Sequence, residues 1–289
     1  MQLTVVIPAY NEAGAIRPTV DELAATMDGS GLDHEIIVVD DGSTDGTSEA
    51  VRELEARHPA VRLVVHPRNR GYGAALKSGI RAARADVVAI TDADGTYPNE
   101  RLPELYQRLV DTSADMVVGS RTGAHVHIPL IRRPAKAFLR WLAQYLSGHA
   151  IPDLNSGLRV MRKEPIVERF NLVSDGFSFT TTTLLALQAR NHPVEWVPID
   201  YHQRTGASKI RPIHDTLNFL VLILRVCVYF EPLKVFAPPA ALLALGGLGL
   251  GGWQVASAGG LGDAPVLMLV AALQILLSGL IADMISRRH

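Results

Sequence analysis

Cysteine is almost absent from this sequence of 289 residues, which contains Cys227 alone. One cysteine cannot form an internal disulfide, and the apolar residues around it indicate a buried small hydrophobic side chain rather than a reactive thiol. Net charge is scarce too, because 28 basic residues oppose 29 acidic ones and leave −1 at pH 7. These shortages exclude a disulfide scaffold and give no indication of a nucleic-acid partner.

Two further features are missing from the chain. The first residues enter a strand pattern, Leu3 to Pro8, and lack the basic start, long apolar core and cleavage site of a signal peptide. We therefore expect the domain that follows to stay in the cytoplasm. No internal repeat or low-complexity segment occurs, and a composition of 48% hydrophobic and 20% charged residues is typical of a folded protein.

Charge is also missing from two long stretches near the end of the sequence, 235–262 and 264–282. A helix needs roughly 20 residues to cross a bilayer core of about 30 Å. We predict membrane-spanning helices near 235–257 and 264–284. The alternative is a buried hairpin in a soluble core, but the five glycines within 246–252 would weaken a soluble helix and are tolerated in lipid.

The outer flanks of these two stretches carry positive charge. The loop between them has no Lys or Arg, whereas Arg225, Lys234, Arg287 and Arg288 lie on the other side. The positive-inside tendency therefore predicts an integral membrane protein with both termini and the preceding domain in the cytoplasm. Contacts between such helices could also join copies of the chain into a homo-oligomer.

The apolar segment 213–230 differs from the two stretches because Asp215, Asn218 and Arg225 interrupt it. We interpret it as helices at the membrane surface rather than as a third crossing. The predicted domains are an α/β domain at 1–212, juxtamembrane interfacial helices at 213–234, and two transmembrane helices with a short loop at 235–289.

Residues 1–212 alternate between two periodicities. Apolar runs of strand length, bounded by Pro, Gly, Asp or Asn, are separated by segments of helical period. The predicted strands are Leu3–Ile7, Glu35–Val39, Val61–Val65, Val87–Ile90 and Met116–Val118, and the predicted helices are 14–27, 46–57, 73–84 and 100–111. This alternation predicts a mostly parallel sheet with helices on both faces and a site at the carboxyl ends of its strands.

Polar clusters end three of these strands, at 8–12, 40–45 and 91–95. Asp92 and Asp94 are two residues apart in an extended segment, so their carboxylates point the same way. Oxygen ligands of this kind suit Mg²⁺ or Mn²⁺ bound together with substrate phosphates. The alternative is that Asp, Gly and Ser in these clusters only form turns and cap a helix, and that the Asp-x-Asp pattern occurs by chance.

Taken together, the motifs of this sequence resemble those of family 2 glycosyltransferases, which have the GT-A nucleotide-sugar-binding fold. They are Pro8-Ala-Tyr-Asn-Glu12, Val38-Val-Asp-Asp-Gly-Ser-Thr-Asp45, Asn69-Arg-Gly-Tyr-Gly-Ala-Ala-Leu-Lys-Ser-Gly79 and Thr91-Asp-Ala-Asp94. A narrower resemblance, to the dolichyl- and polyprenyl-phosphate glycosyltransferases, rests on Asp153-Leu-Asn-Ser-Gly-Leu-Arg159, Gly176-Phe-Ser-Phe179 and Arg204-Thr-Gly-Ala-Ser-Lys209. It implies inverting transfer of a hexose from a nucleotide diphosphate sugar, of the GDP-mannose or UDP-glucose type, to a polyprenyl or dolichyl phosphate at the cytoplasmic membrane face.

The resemblance also implies roles for individual residues. The nucleotide would be held by Pro8, Tyr10, Glu12 and Asp41, with Lys77 nearby. Asp92 and Asp94 would bind Mg²⁺ or Mn²⁺ and the diphosphate, and Arg204 and Lys209 would bind the acceptor phosphate. The rest of the substrate would be held by Arg121, Asp153, Ser156 and Arg159. Two departures are evident. Gly95-Thr96 replaces a Leu-Gln that supplies a metal-assisting Gln in many relatives, and Thr180 to Thr183 stand where many carry an acidic residue.

A phosphate acceptor is compatible with the chemistry of these residues. A hydroxyl acceptor needs a general base, whereas a phosphate monoester, with a second pKa of about 6, is largely dianionic at neutral pH and can attack without one. It needs cations instead, which Arg204 and Lys209 would supply. On composition alone, the same two residues are equally well explained as basic residues attracted to anionic lipid.

Two other functions stay open on the sequence alone. One is a membrane-anchored family 2 glycosyltransferase that acts on a hydroxyl acceptor, although the Gln-x-x-Arg-Trp motif of processive synthases is absent. The other is an inactive nucleotide-binding subunit that anchors a partner, which the retention of both aspartates disfavours. The segment 134–146, with Trp141 and Tyr145, predicts either an amphipathic helix on the bilayer or a solvated helix packed on the sheet.

Overall fold

The structure is a computed structural model that describes residues 1–122, 140–145, 148–201, 221, 224, 227–229, 231–258 and 260–286. The chain divides into two compact units. The first comprises Met1–Arg140 and Ala150–Thr216, and the second comprises Trp141–His149 and Leu217–His289.

The first unit is an α/β domain. Its elements in chain order are β1 (Leu3–Ala9), α1 (Ile16–Ser30), β2 (His34–Asp40), α2 (Thr47–Arg57), β3 (Val61–Val65), α3 (Tyr72–Ala82), β4 (Val87–Ile90), a 3₁₀ turn (Asn99–Arg101), α4 (Leu102–Thr112), β5 (Met116–Ser120), β6 (Arg159–Arg162), α5 (Lys163–Val167), α6 (Phe179–Gln188) and β7 (Val194–Pro198). The five predicted strands and four predicted helices are confirmed, with small shifts at their ends.

The seven strands form one sheet in the order β3-β2-β1-β4-β6-β5-β7. β6 runs antiparallel to both β4 and β5, and the other neighbouring pairs are parallel. The prediction of a mostly parallel sheet is therefore confirmed. β6, β7, α5 and α6 were not predicted: β6 has only the four residues Arg-Val-Met-Arg, too few and too polar to produce a strand pattern.

The core of this unit lies between the sheet and the helices that cover it. β1 is buried along its whole length, and α1 buries one face that includes Ile16, Val20, Leu23 and Met27. This spacing of three or four residues is the apolar stripe of an amphipathic helix. Each such side chain contributes about 1.5–3 kcal/mol when it is fully buried, so the central strands form a rigid base for the loops at their ends.

The second unit contains two long apolar helices, α7 (Pro232–Ala258) and α8 (Asp263–Ser286), which pack against each other. A Cβ atom on Gly246 would lie 2.7 Å from Met268 Cε, and one on Gly279 would lie 2.7 Å from Phe236 Cβ, so glycine permits the close approach of the helices. Two segments in them are long and apolar enough to cross a membrane, with mean hydropathies of 1.6 and 2.3. The two predicted helices are confirmed, and their crossing of a bilayer stays a prediction.

Two of the predicted segments are described only in part. Of the predicted interfacial segment 213–234, positions 221, 224, 227–229 and 232–234 are helical. Of the predicted helix at 134–146, residues 140–145 are helical, and Trp141 and Tyr145 are exposed, with their rings stacked at 5.9 Å. Glu231 is described and is not helical, and the remaining residues of both segments lie outside the described part, so the predicted domain boundaries stay predictions.

Candidate active site at the carboxyl ends of the strands

The sheet topology brings most of the predicted site residues to one edge. β1 is flanked by β2 on one side and β4 on the other, so the chain leaves β1 and β4 toward opposite sides of the sheet. It is in the crevice at such a point that α/β sheets bind ligands. β6 enters the sheet from that same edge, because Arg159 pairs with Ile90 at the end of β4 and with Val118 in β5. The segment before β6 therefore meets the ends of the parallel strands.

The loops after β1 and β2 are joined by hydrogen bonds. The backbone N–H of Asn11 donates to Ser43 Oγ at 2.9 Å, and the Asn11 side chain accepts from the Thr44 N–H at 2.9 Å. Asn11 has a left-handed backbone, with φ 55°. Pro8 is buried in β1, whereas the Tyr10 side chain beyond it is exposed. One rim of the crevice is thus fixed, and an aromatic ring lies on its surface.

Asp41, at the end of β2, is buried and organises the loop that precedes α3. Its Oδ1 lies 2.6 Å from the Nδ1 of His66 and accepts the Arg70 N–H at 2.9 Å, and its Oδ2 accepts the Gly71 N–H at 2.7 Å. The other ring nitrogen of His66 lies 2.8 Å from Ser78 Oγ. The predicted contact of Asp41 with a nucleotide stays a prediction, and in this conformation both carboxylate oxygens bind the protein.

Lys77 projects from α3 into the segment before α6. Its buried ammonium donates to the carbonyls of Phe170 and Val173 and to the carboxylate of Asp175. These contacts use all three protons of the ammonium group. Lys77 therefore fastens residues 170–175 to α3, and the nucleotide contact that was predicted for it stays untested.

Asp92 and Asp94 follow β4 in a segment that turns at residues 93–95, and the predicted convergence of their carboxylates stays a prediction. Asp92 Oδ1 accepts the hydroxyl of Tyr72 at 2.9 Å, and Asp94 Oδ1 accepts the hydroxyl of Thr96 at 2.7 Å. A Cβ atom on Gly157 would lie 3.1 Å from Asp92 Oδ2 and 3.1 Å from Tyr97 Cε2, so glycine permits the close approach of both groups. Two half-buried carboxylates on one loop are a donor set that fits a hard divalent cation.

The described residues offer no larger set of ligands. Within them, no group of three or more His, Cys, Asp or Glu side chains is placed to hold one ion. A pair of carboxylates matches the manner in which Mg²⁺ is bound by one or two protein ligands, with phosphates and water completing its coordination.

Two tyrosines border this pair of aspartates. Burial raises the pKa of Tyr72 well above its usual value, and the Asp92 carboxylate raises it further. Burial also raises the pKa of Tyr97, whose hydroxyl oxygen accepts the Gly157 N–H at 2.6 Å. Both phenols therefore keep their protons at neutral pH, so the Tyr72 hydroxyl can donate a hydrogen bond to Asp92 at that pH.

Arg121 and Asp153 bind each other through two parallel hydrogen bonds. Arg121 Nε lies 2.7 Å from Oδ2 and Nη2 lies 2.9 Å from Oδ1, and the Arg121 backbone N–H adds a third bond. Burial would raise the pKa of Asp153, but the bonds and charge of Arg121 prevail and lower it to about 2. The guanidinium also lies 5.2 Å from the centre of the Tyr201 ring. The pair joins β5 to the segment before β6, and its predicted contact with substrate stays a prediction.

Ser156 and Arg159 are fully buried. The Ser156 hydroxyl donates to the carbonyl of Gly119, and the guanidinium of Arg159 donates to the carbonyls of Leu154, Ser156 and Thr180. Burial lowers the pKa of Arg159 to about 10. Ser156 thus joins its segment to β5, and Arg159 joins the segment 154–156 to α6; the predicted contact of each with substrate stays a prediction.

Several contacts within the site were not predicted from the sequence. Tyr97 and Gly157 meet only after the turn that follows β4 has formed, and nothing in the local pattern indicates their contact. The run Thr180 to Thr183 is buried in α6, where the Thr181 hydroxyl donates to the side-chain oxygen of Asn155. Arg204 and Lys209, predicted to bind the acceptor, lie outside the described residues.

Comparison with known proteins identifies two matching regions. The model of glycosyl transferase family 2 matches residues 4–170, and that of the GtrB C-terminal hairpin matches residues 231–287. In all, 150 curated proteins are significantly similar in sequence to this chain. The two matched regions correspond to the α/β domain and to the apolar helix pair.

Three curated relatives illustrate the similarity. A dolichyl-phosphate beta-glucosyltransferase (ALG5C) of Trichomonas vaginalis is 30% identical over 79% of this chain and 71% of its own length. A dolichyl-phosphate hexose transferase of Haloferax volcanii is 31% identical over 78% and 94%. A dodecaprenyl-phosphate galacturonate synthase of Rhizobium johnstonii is 27% identical over 100% and 89%.

Solved structures share the fold. Glucosyl-3-phosphoglycerate synthase from Mycobacterium tuberculosis, in complex with UDP, superposes with a TM-score of 0.59 at 22% identity, over 78% of this chain and 80% of that one. The same enzyme with Mn²⁺, UDP and phosphoglyceric acid gives 0.59 at 21% identity, over 78% of each chain.

Proposed function

The chain belongs to glycosyltransferase family 2, and on that premise we propose that it transfers a hexose from a nucleotide diphosphate sugar to a polyprenyl phosphate. One observation carries the proposal: the same chain has two aspartates after β4 of an α/β domain and an apolar helix pair near its C-terminus. Relatives named for transfer to dolichyl or dodecaprenyl phosphate support the choice of acceptor.

On the donor side, Asp92 and Asp94 would hold Mg²⁺ or Mn²⁺. When bound, such a cation neutralises charge on the departing diphosphate. Tyr10 is exposed at the neighbouring rim and would cover the base, while Asp41 keeps the loop before α3 in place around the nucleotide. The complex of a fold relative with Mn²⁺ and UDP supports a donor of this class.

On the acceptor side, a phosphate monoester needs no general base, because its second pKa of about 6 leaves it largely dianionic at neutral pH. Arg204 and Lys209 would hold and orient it. We propose inversion at the sugar carbon by direct attack of this phosphate. The excess of Lys and Arg on the outer flanks of the apolar helices supports placement of the reaction at the cytoplasmic face.

The test is transfer by the purified full-length protein. Labelled UDP-glucose, GDP-mannose and UDP-galacturonate are each incubated with polyprenyl phosphate and Mn²⁺, and the lipid phase is analysed for label. We expect one donor to label the lipid, EDTA to stop the reaction, and Asp94→Asn to abolish it. Asp111→Asn, on the exposed surface of α4, is the matched control and should leave transfer unchanged.

Two results would reject the proposal. Label in a glycan or another hydroxyl acceptor, with none in polyprenyl phosphate, would assign the protein to the alternative class of membrane-anchored glycosyltransferase. Full activity of Asp94→Asn would show that the reaction does not need a cation bound by Asp92 and Asp94.

A further inference from the structure

The side chain of Tyr72 connects two parts of the site. Tyr72 is the first residue of α3 and follows Gly71, whose backbone N–H is held by Asp41. From there its hydroxyl reaches across to Asp92 and donates to Oδ1 at 2.9 Å. The position of the helix start therefore determines where this hydroxyl lies.

The Tyr72 ring also contacts the ring of Phe177. Its centre lies 5.9 Å from the ring of Phe177, in a tilted arrangement that aromatic pairs favour. The segment that carries Phe177 is fixed to α3, because the Ala74 N–H donates to the carbonyl of Asp175 and Lys77 binds the same segment. The ring thus lies against Phe177, which is 64% exposed, and its hydroxyl donates to Asp92.

This hydrogen bond distinguishes the two oxygens of Asp92. The torsion that turns a carboxylate has a broad distribution, so a hydrogen bond to one oxygen favours one orientation of the group. With Oδ1 bonded to Tyr72, Oδ2 lies on the side of Gly157, where a Cβ atom would approach it to 3.1 Å. Groups that orient a cation-binding carboxylate in this way commonly raise affinity for the ion 10- to 100-fold.

We infer that Tyr72 is a positioning residue for the cation site, and that its hydroxyl holds Asp92 in the orientation that binds the divalent ion. This inference rests on the proposed function, since it assumes that Asp92 and Asp94 hold the cation. It assigns Tyr72 no contact with the donor or the acceptor. A purely structural tyrosine would affect folding stability and leave affinity for the ion unchanged.

The test measures Mn²⁺ binding by the full-length protein, from the loss of the free-ion electron paramagnetic resonance signal, with saturating UDP and separately with saturating GDP. Tyr72→Phe removes one oxygen and keeps the ring, and we expect it to weaken Mn²⁺ binding about 10- to 100-fold. Nucleotide affinity in EDTA and the thermal unfolding midpoint should change little. Tyr106→Phe, on a partly buried tyrosine of α4, is the matched control.

A second variant perturbs the same carboxylate from the opposite side. Gly157→Ala would place a methyl group 3.1 Å from Asp92 Oδ2, and we expect weaker Mn²⁺ binding there too. Wild-type Mn²⁺ affinity in Tyr72→Phe, with binding lost in Asp92→Asn, would overturn the inference and leave the proposed function intact. Wild-type affinity in Asp92→Asn as well would instead reject the cation site on which both proposals rest.

Discussion

At the scale of single residues, the site is built by buried polar groups whose partners are largely main-chain atoms. Asp41 accepts the N–H groups of Arg70 and Gly71, Arg159 donates to three carbonyls, and Lys77 donates to two. A main-chain partner fixes the course of a loop directly, whereas a bond between two side chains fixes only their tips. The irregular segments at the crevice owe their conformation to these contacts.

Replacement of Lys77 tests this interpretation. Lys77→Met leaves the carbonyls of Phe170 and Val173 without their donor, and an unsatisfied buried polar group costs about 1–3 kcal/mol. We expect the free energy of unfolding to fall by about that amount, as measured by urea unfolding with tryptophan fluorescence. Lys163→Met, which removes a single bond to the carbonyl of Ala83, should cost less. Lost nucleotide affinity without lost stability would favour the nucleotide contact predicted from the sequence.

The Arg121–Asp153 pair should make the free energy of unfolding depend on pH in the acidic range. A carboxylate whose pKa falls from 3.8 unfolded to about 2 folded stabilises the protein above pH 4 and loses this contribution as the pH falls toward 2. The contribution is about 2 kcal/mol. Unfolding free energies measured between pH 5 and 2 should fall more steeply for the wild type than for Asp153→Asn. Equal slopes for the wild type and Asp153→Asn would contradict this role of the pair.

At the scale of elements, α3 packs against the sheet through a glycine. A Cβ atom on Gly79 would lie 2.3 Å from Val6 Cγ1 and 3.0 Å from Val39 Cγ2, in the buried faces of β1 and β2. We expect Gly79→Ala to destabilise the protein by about 1–3 kcal/mol, because an overpacked core forces its neighbours to shift. Gly29→Ala, in α1 with no atom near the new methyl group, should be neutral or stabilising by up to about 1 kcal/mol. Equal effects in thermal unfolding would contradict this packing.

The elements also indicate how far sequence alone could go. β1 to β5 and α1 to α4 follow from periodicity, and Asp92 and Asp94 follow from the rule that sites gather at the carboxyl ends of parallel strands. The contact between Tyr72 and Asp92 could not be predicted, because it depends on the position of α3 over the sheet. The burial of Arg159 could not be predicted either, since an arginine that begins a four-residue strand gives no local sign that it lies inside.

At the scale of the whole molecule, the sequence joins a domain with a crevice to a pair of apolar helices. Most large side chains on these helices are exposed, including Leu242, Trp253, Leu267 and Ile281. Monomeric soluble proteins rarely expose so continuous an apolar surface. A lipid environment would cover it, in agreement with the crossing predicted from length and charge.

Topology is tested with reporters. Arg225 and Lys234 before the first helix, and Arg287 and Arg288 after the second, should keep both ends of the helix pair in the cytoplasm. A green fluorescent protein fused to the C-terminus should fluoresce, and a phosphatase that is active only outside the cytoplasm should be inactive there. The opposite pattern would show that the C-terminus lies outside.

The antiparallel insertion of β6 has a consequence for how the chain folds during synthesis. β4 and β5 do not pair with each other. Both pair with β6, which begins only at Arg159, so the edge of β4 next to β6 has no partner until β6 has been synthesised. At about 5–20 residues per second, a ribosome takes several seconds to translate the intervening segment. During that delay the nascent sheet β3-β2-β1-β4 exposes an unpaired edge at β4, where aggregation or a chaperone would compete with the arrival of β6.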